Sequence, residues 1–242
     1  MKDLHCHLLP GIDDGSSSIE ESISLLKSMS DFGIHELVLT PHYIEDSKYN
    51  CDNKNKKALF NKLLNEVKKE NIDINLYLGN EVYFTHHFVE LIDNKEISTI
   101  NGSRYVLFEF PMHEHYKGTG EALLKLISNG YIPILAHPER YKRFLEKPDL
   151  AEEYLRMGVL LQGNFPSLFG KYGRKEKKLI KYYIKKVWIS FLFSYTHNNF
   201  EYNYKKLEKM LHRLNKNEEY ISNLLEGNFD RVIKDEPIAM IR

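Results

Sequence analysis

Two histidines, His5 and His7, stand one residue apart at the end of a short apolar run, and Asp13-Asp14-Gly15 follows closely. If the run is a strand, alternate side chains share a face, so both imidazoles could reach one metal ion. The spacing also fits two polar residues at a strand end, so the pair alone does not decide. Cys6, between them, is expected to face the other side of the strand.

Further histidines and carboxylates recur at the ends of later apolar runs. The candidate metal ligands are His5, His7, Asp14, His42, Glu81, Glu109, His137 and His197. Imidazole with carboxylate and no thiolate suits zinc, manganese or iron. Eight ligands are too many for one ion. If Glu81 bridges two ions, the set serves a two- or three-metal centre, which can ionise a bound water and clamp a phosphoryl group.

The remaining histidines depart from this pattern. The sequence predicts a surface position for His35, His86, His87 and His212, and a position at the pocket rim for His113 and His115.

Arg140 follows His137 by three residues and is the candidate catalytic residue. Its planar guanidinium could grip phosphate oxygens in a bidentate way. The alternative is a salt bridge with Glu139 or Glu146. No glycine-rich phosphate loop, Ser-His-Asp set or Cys-x5-Arg loop is visible, so we do not expect a covalent cysteine mechanism.

Strands and helices alternate along the chain. After the first strand, Ser18 and Glu21 fit a capping box that begins a helix ending near Gly33. Apolar runs predict six more strands and helical spacing predicts the helices between and after them. The predicted strands are 36–42, 74–83, 107–110, 132–140, 159–164 and 187–194, and the later helices 56–70, 86–92, 121–129, 150–157, 175–185, 204–214 and 218–225.

Such alternation implies a parallel sheet, either a barrel or a doubly wound sheet. Six of the seven predicted strands carry a His or Glu at or near their ends. In a (β/α) barrel those ends converge on one face, whereas an open sheet would not gather six of them around one point. We therefore expect an α/β fold of the barrel type.

Composition predicts one domain over residues 1–242, since 42% hydrophobic content suffices for one sizeable core. Lys plus Arg and Asp plus Glu both number 34, so no overall basic field favours nucleic-acid binding. The basic run Arg174, Lys175, Lys177 and Lys178 lies in helical sequence and is interpreted as a solvated face.

The cysteines and the N-terminus predict a reduced, cytoplasmic, soluble protein. Cys6 and Cys51 have no Cys-x-x-Cys partner. No charged leader precedes an apolar segment, and no apolar run approaches the ~20 residues of a spanning helix, so membrane insertion is not expected.

Five segments resemble the PHP (polymerase and histidinol phosphatase) superfamily, and within it the bacterial tyrosine-protein phosphatases encoded with capsular and exopolysaccharide synthesis genes. The resemblance covers nearly the whole chain, and its opening motif is highly specific. The segments are Asp3 to Gly15, Thr40-Pro41-His42, Gly79 to Tyr83, Glu109-Phe110 and Ala136 to Tyr141.

The resemblance implies a distorted seven-stranded (β/α) barrel of PHP type with two or three divalent ions, most often manganese. By analogy, a first metal is held by His5, His7 and Glu81, a second by Glu81, Glu109 and His137, and a third by Asp14, His42 and His197. Arg140 would bind phosphate. The implied substrate and partner is the phosphotyrosine-bearing tail of a bacterial tyrosine kinase.

Two positions depart from the family. Its last motif reads Ser-Asp-x-His-Asn, whereas this chain has Tyr195 in place of the aspartate that would complete the first metal. A family arginine further on is also absent, with Tyr202 nearby. Three hypotheses follow: a metal-dependent phosphotyrosine phosphatase, a small-molecule phosphatase of the histidinol-phosphate type, or a catalytically weakened protein that binds the kinase.

Overall fold

The computed structural model describes residues 1–112, 117–198 and 200–238. Strands and helices alternate as the sequence predicts. In these ranges there are nine strand segments: β1 Lys2–Cys6, β2 Glu36–Leu39, β3 His42–Tyr43, β4 Asn75–Leu78, β5 Glu81–Tyr83, β6 Tyr105–Glu109, β7 Ile132–Ala136, β8 Leu160–Asn164 and β9 Phe191–Phe193.

The helices lie between and after the strands. They are α1 Ile19–Phe32, α2 Asn53–Lys69, α3 Phe88–Asp93, α4 Thr119–Ser128, α5 Lys142–Glu146, α6 Leu150–Met157, α7 Phe165–Phe169, α8 Arg174–Lys185, α9 Tyr204–Leu214, α10 Glu218–Ser222 and α11 Asn228–Ile233. The predicted helix 218–225 is shorter than expected, because a π-helical turn, Asn223–Gly227, separates α10 from α11. Among the described residues, no helix has the length and apolar character needed to cross a bilayer.

All strand pairs are parallel, and they form two sheets. One has the order β1-β2-β4 and the other β3-β5-β6-β7-β8-β9. The sequence predicted seven strands, and the count differs because two of them are interrupted. The run 36–42 breaks at Pro41, which has no N–H to donate, and the run 74–83 breaks at Gly79-Asn80.

The two sheets meet along β1. Its Cys6 carbonyl accepts a hydrogen bond from Thr40 N at 2.9 Å, next to β2. On the other side, His7 N donates to Thr196 O at 2.8 Å, and Tyr195 N donates to His5 O at 3.1 Å. β1 therefore lies between β2 and the residues that follow β9.

Strands β6 to β9 are buried on both faces, apart from the half-buried Ile132 that begins β7, as expected for parallel strands covered by helices. Along β6, Tyr105 and Leu107 belong to one apolar cluster, while Val106 and Phe108 belong to the other. Helix α11 contributes Phe229 to the first of these clusters. The strands are thereby fixed on both sides, and their carboxyl ends are held in a rigid frame.

Helix α1 begins and ends as predicted. Ser18 Oγ accepts from Glu21 N at 3.2 Å, and Gly33 ends the helix in the left-handed region at φ 104°. The other half of the predicted capping box differs, because the Glu21 carboxylate accepts from Ser17 N instead of Ser18 N.

Candidate metal centre

The eight candidate ligands converge at the carboxyl ends of the strands. His5 lies in β1 and His7 just beyond it, with Asp14 in the following loop. The others lie as follows: His42 opens β3, Glu81 opens β5, Glu109 ends β6, His137 follows β7 and His197 follows β9. All except Asp14 and His197 are buried.

Glu81 lies at the centre of this cluster. Its Oε2 is 3.1 Å from His5 Nε2 and 3.2 Å from His7 Nε2. The same oxygen is 3.2 Å from His42 Nδ1, and Oε1 is 3.0 Å from His137 Nε2. One carboxylate therefore touches four imidazoles.

Several of these contacts are close without being hydrogen bonds. Glu81 Oε2, His42 Nδ1 and His137 Nδ1 are buried and have no hydrogen-bond partner among the described residues. Two ligands about 2.1 Å from one ion, at angles of ~90–109°, lie ~3.0–3.4 Å apart. The spacing around Glu81 thus matches ligand atoms that share an ion, and the residues present fit a metal centre.

Hydrogen bonds at Nδ1 leave the Nε2 atoms of His5 and His7 available as metal ligands. His7 Nδ1 bonds to Asp13 Oδ2 at 2.8 Å, and His5 Nδ1 bonds to Gln162 Oε1 at 2.7 Å. Because each acceptor takes a proton from Nδ1, Nε2 is the ring nitrogen that faces Glu81, and it carries the lone pair whenever the ring is neutral. Asp13 also accepts from His42 N at 3.0 Å and so joins two segments of the centre.

The ligand atoms form three groups, and the atoms within each group all lie within 4.8 Å of one another. They are His5, His7 and Glu81; His42, Glu81 and Glu109; and His7, Asp14, His42 and His197. The first is the group that the resemblance implies. The second differs from it, because His42 stands where His137 was expected.

His137 nevertheless lies beside the same carboxylates, with Nε2 3.0 Å from Glu81 and 3.6 Å from Glu109. His42 belongs to two groups through its two nitrogens. A neutral imidazole has one lone pair, so His42 can complete only one of them at a time.

Burial and charge set the protonation of the ring nitrogens. Burial lowers the pKa of His137 to about 3, and burial with the neighbouring His7 lowers the pKa of His197 to about 2. Both rings are therefore neutral at pH 7, whereas Asp13 and Glu81 outweigh burial and raise the pKa of His7 to about 10, so a metal ion bound there would displace a proton from His7. Burial alone would raise the pKa of Asp13, but the charge of His7 and its hydrogen bond outweigh burial and lower it to about 2.

Arg140 faces aromatic rings instead of carboxylates. Its Cζ lies 4.6 Å from the centroid of the Tyr172 ring and 4.8 Å from that of Tyr195. In the described part of the chain, Glu139 and Glu146 lie outside ion-pair distance of Arg140, so the predicted alternative of a salt bridge is wrong. Glu139 instead accepts from Asn164 N at 2.9 Å, and the buried Arg140 Nη1 has no described hydrogen-bond partner.

Tyr195 lies among the imidazoles of the centre. Its ring centroid is 4.8 Å from those of His5 and His137 and 4.5 Å from that of His197. Its backbone has φ 51°, in the left-handed region that a bulky residue rarely adopts. Burial raises its pKa well above the ordinary value, so the phenol is neutral at pH 7.

Sequence reasoning missed three residues of the site: Asp13, Gln162 and Tyr172. Gln162 could have been noticed as a polar residue within the apolar run that became β8. Tyr172 gave no signal, because only the folded chain places it on Arg140. Of the other histidines, His35, His86 and His87 are exposed, as predicted, whereas His212, for which a surface position was also predicted, is half-buried. His113 and His115 lie outside the described residues. Cys6 is buried, with Sγ 3.4 Å from Val38 O, away from the ligands.

The carboxyl ends of the parallel strands bring imidazoles and carboxylates together around a shared glutamate. This arrangement defines an α/β protein with a candidate multinuclear metal centre. The family model for capsular polysaccharide synthesis, CpsB/CapC, matches residues 1–234. The chain belongs to this CpsB/CapC family.

Two curated relatives and one solved structure illustrate the similarity. The CapC protein of Staphylococcus aureus is 40% identical over 179 residues, which cover 74% of this chain and 70% of CapC. The tyrosine-protein phosphatase CpsB of Streptococcus pneumoniae is 32% identical over 205 residues, 82% of this chain and 83% of CpsB.

The solved structure belongs to a study of YwqE of Bacillus subtilis and CpsB of Streptococcus pneumoniae, which are metal-dependent tyrosine phosphatases. It superposes with a TM-score of 0.89 at 24% identity, covering 100% of this chain and 97% of the other. This similarity establishes the fold.

Proposed function

We propose that the protein is a metal-dependent protein-tyrosine phosphatase that removes phosphate from the phosphotyrosine-bearing tail of a polysaccharide-synthesis tyrosine kinase. The observation that carries the proposal is the convergence of His5, His7, His42 and His137 on the Glu81 carboxylate, at 3.0–3.2 Å. Family membership supports the substrate class, because curated relatives are named tyrosine-protein phosphatases. A kinase partner also fits the cytoplasmic location that the sequence predicts.

The proposed centre holds two or three divalent ions. His5, His7 and Glu81 would hold one, and Glu81 and Glu109 a second with His42 or His137. Asp14 and His197 would hold a third with His7 or His42. The imidazole and carboxylate donors suit manganese, zinc or iron, and we propose manganese. When bound, such ions stabilise a phosphoryl group as Lewis acids and lower the pKa of water.

The side chains of this chain then have separate roles. Asp13 and Gln162 orient the His7 and His5 rings through their Nδ1 atoms. Arg140 would bind phosphate oxygens, and its contacts with the Tyr172 and Tyr195 rings would keep its guanidinium in place. Cys6 is buried on the other side of its strand and takes no part.

We further propose that the two sheets form one distorted barrel of PHP type in a single domain. The hydrogen bonds on both sides of β1 support this, since they place β1 between the two sheets. In such a barrel the ligand-bearing strand ends share one face.

The test is an assay of purified protein with aryl phosphate, a phosphotyrosyl peptide and histidinol phosphate, each with and without added manganese. We expect manganese-dependent turnover, with the peptide preferred over histidinol phosphate. Preference for histidinol phosphate would support the small-molecule hypothesis. Peptide binding without turnover would support the hypothesis of a weakened kinase-binding protein.

A further inference from the structure

Helices α8 and α9 carry an unbalanced charge. Residues 174–186 and 204–214 contain eleven Lys and Arg but two Glu, in a chain with 34 residues of each charge. The basic run in α8 was interpreted from the sequence as a solvated face. The structure shows that a second basic helix faces it.

The two helices enclose a groove of about 320 Å³. The cationic side chains that line it are Lys177, Lys181, Lys206, Lys209 and Arg213, and the apolar ones are Met210 and Leu214. No described ion pair involves any of these five cations, and neither Glu of the two helices lines the groove. We call this feature the basic groove.

Like charges at these spacings do not stabilise the helices. Lys177 and Lys181 are four residues apart, as are Lys209 and Arg213, and cations at i and i+4 repel each other. Facing rows of unpaired cations concentrate a positive field between low-dielectric walls. An anionic ligand would remove this repulsion.

The end of α7 and the residues after it connect the basic groove with Arg140 along the chain. Lys206 Nζ lies 5.4 Å from the Phe169 ring centroid. Three residues later, Tyr172 packs on Arg140 at 4.6 Å. Lys177 lies against Gly170, where an added Cβ would be 3.7 Å from its Cδ.

We propose that the basic groove binds an acidic stretch of the substrate polypeptide, carrying carboxylates or further phosphate groups, next to the phosphotyrosine that enters the centre. This inference rests on the proposed function and names its substrate class more narrowly. Three features favour a peptide: the concave shape, the apolar side chains of Met210 and Leu214 in its lining, and the chain segment after α7 that contacts both the groove and Arg140.

An anionic membrane surface is less well matched. Membrane-surface binding combines basic residues with protruding apolar side chains. Among the described residues, the large apolar side chain that is exposed is Leu124, which lies on α4 and not beside the basic groove.

The test compares two peptides with the same phosphotyrosine core, one flanked by Asp and Glu and the other by Asn and Gln. The groove variant is Lys181→Glu/Lys209→Glu, and the control Lys62→Glu/Lys68→Glu reverses two exposed lysines on α2. We expect the groove variant to raise KM for the acidic peptide about tenfold, with kcat and the neutral peptide unchanged. The control should match the parent, and Lys181→Gln/Lys209→Gln should show a smaller rise in the same direction.

Fluorescence anisotropy with non-hydrolysable phosphonate versions of both peptides separates this inference from the proposed function. A parent that binds the acidic peptide more tightly, in a salt-sensitive way that the groove variant loses, supports the basic groove even if neither peptide is hydrolysed. In that case only the proposed phosphatase function would fail. Equal affinity of the parent for both peptides would overturn the inference.

Binding to vesicles of phosphatidylglycerol and phosphatidylcholine tests the alternative that the basic groove binds an anionic membrane surface. The inference also fails if the groove variant loses vesicle binding while keeping the preference for the acidic peptide.

Discussion

By the resemblance found in the sequence, Tyr195 stands where the family motif has an aspartate, and the structure shows how the site accommodates the tyrosine. Its backbone is in the left-handed region at φ 51°, and its ring lies against Arg140 and the histidines. Asp and Asn adopt that backbone conformation more readily than Tyr does. A neutral phenol is also a poor metal ligand compared with a carboxylate.

We predict that Tyr195→Asp lowers the manganese concentration needed for half-maximal activity and raises turnover of phosphotyrosyl substrates, because a charged ligand replaces the ring. Tyr195→Asn is the matched control, since it relieves the backbone in the same way without adding charge. Manganese titration of activity compares the three proteins. If Tyr195→Asp needs as much metal as the parent and turns over no faster, the tyrosine is itself a ligand or irrelevant to the centre.

Arg140 is the second residue for which a substitution distinguishes the effect of side-chain geometry from the effect of charge. We predict that Arg140→Lys lowers kcat/KM about tenfold or more. An ammonium keeps the charge but cannot reproduce the bidentate geometry of the guanidinium or its contacts with the Tyr172 and Tyr195 rings. Steady-state kinetics measure this, with the exposed Arg156→Lys of α6 as control. Unchanged kinetics for Arg140→Lys would assign Arg140 a structural role.

At the level of elements, the loop after β1 is held against β1 by a close backbone approach at Gly15. A Cβ at Gly15 would lie 1.9 Å from His7 O. Ser16 N also donates to His7 O at 2.9 Å. The loop therefore places Asp13 and Asp14 beside His7 only if residue 15 has no side chain.

We predict that Gly15→Ala lowers the free energy of unfolding by on the order of 1–3 kcal/mol and reduces the rise in Tm on adding manganese, since His7 and the loop must move apart. Gly120→Ala in α4 is the control. Its Cβ would be 3.8 Å from Met157 Cε, so it should be neutral or stabilising by up to ~1 kcal/mol. Thermal unfolding with and without manganese measures both, and a parent-like Gly15→Ala would refute the clash.

Asn80 joins the two interrupted strands to α2. Its Nδ2 donates to Pro41 O at 3.0 Å, and its Oδ1 accepts from Ser98 N and from the buried Lys56 of α2. Burial lowers the pKa of Lys56 to about 7, because among the described residues its ammonium has no carboxylate partner that would offset the lost hydration.

This arrangement predicts a pH-dependent stability. The folded pKa of Lys56 is below the unfolded value near 10.5, so the folded chain binds fewer protons and stability rises with pH from about 7 to about 10.5. Lys56→Met should be more stable than the parent by on the order of 2–4 kcal/mol at pH 6, with the difference closing toward pH 10. Urea unfolding across this range tests it, with exposed Lys62→Met as control. A difference that stays constant with pH would show that Lys56 titrates normally.

The sequence predicted the order of strands and helices because alternating apolar runs and caps such as Ser18 and Gly33 are local signals. It also predicted that the eight ligand candidates would meet, because parallel strands place their carboxyl ends together. The break at Pro41 has a local cause, since proline has no N–H to donate, whereas the break at Gly79-Asn80 depends on contacts between segments and could not be predicted with equal ease. The position of His42 beside Glu81 and Glu109 likewise depends on tertiary packing.

For the whole molecule, equal numbers of cations and anions conceal a segregated charge distribution. Carboxylates line the centre with its imidazoles, while α8 and α9 concentrate lysines and arginines in the basic groove. Net charge along the sequence cannot reveal this, because the two basic helices are separated by β9. The molecule thus combines a centre suited to cations with a neighbouring surface suited to anions.

The central claim is that the strand ends hold a multinuclear metal centre. The most direct test is the content of divalent ions in protein purified without chelator, measured by elemental analysis against protein concentration. We predict at least two ions per chain, because Glu81, Glu109 and the histidines beside them form a site that does not depend on Tyr195. A content below one ion per chain would contradict the account.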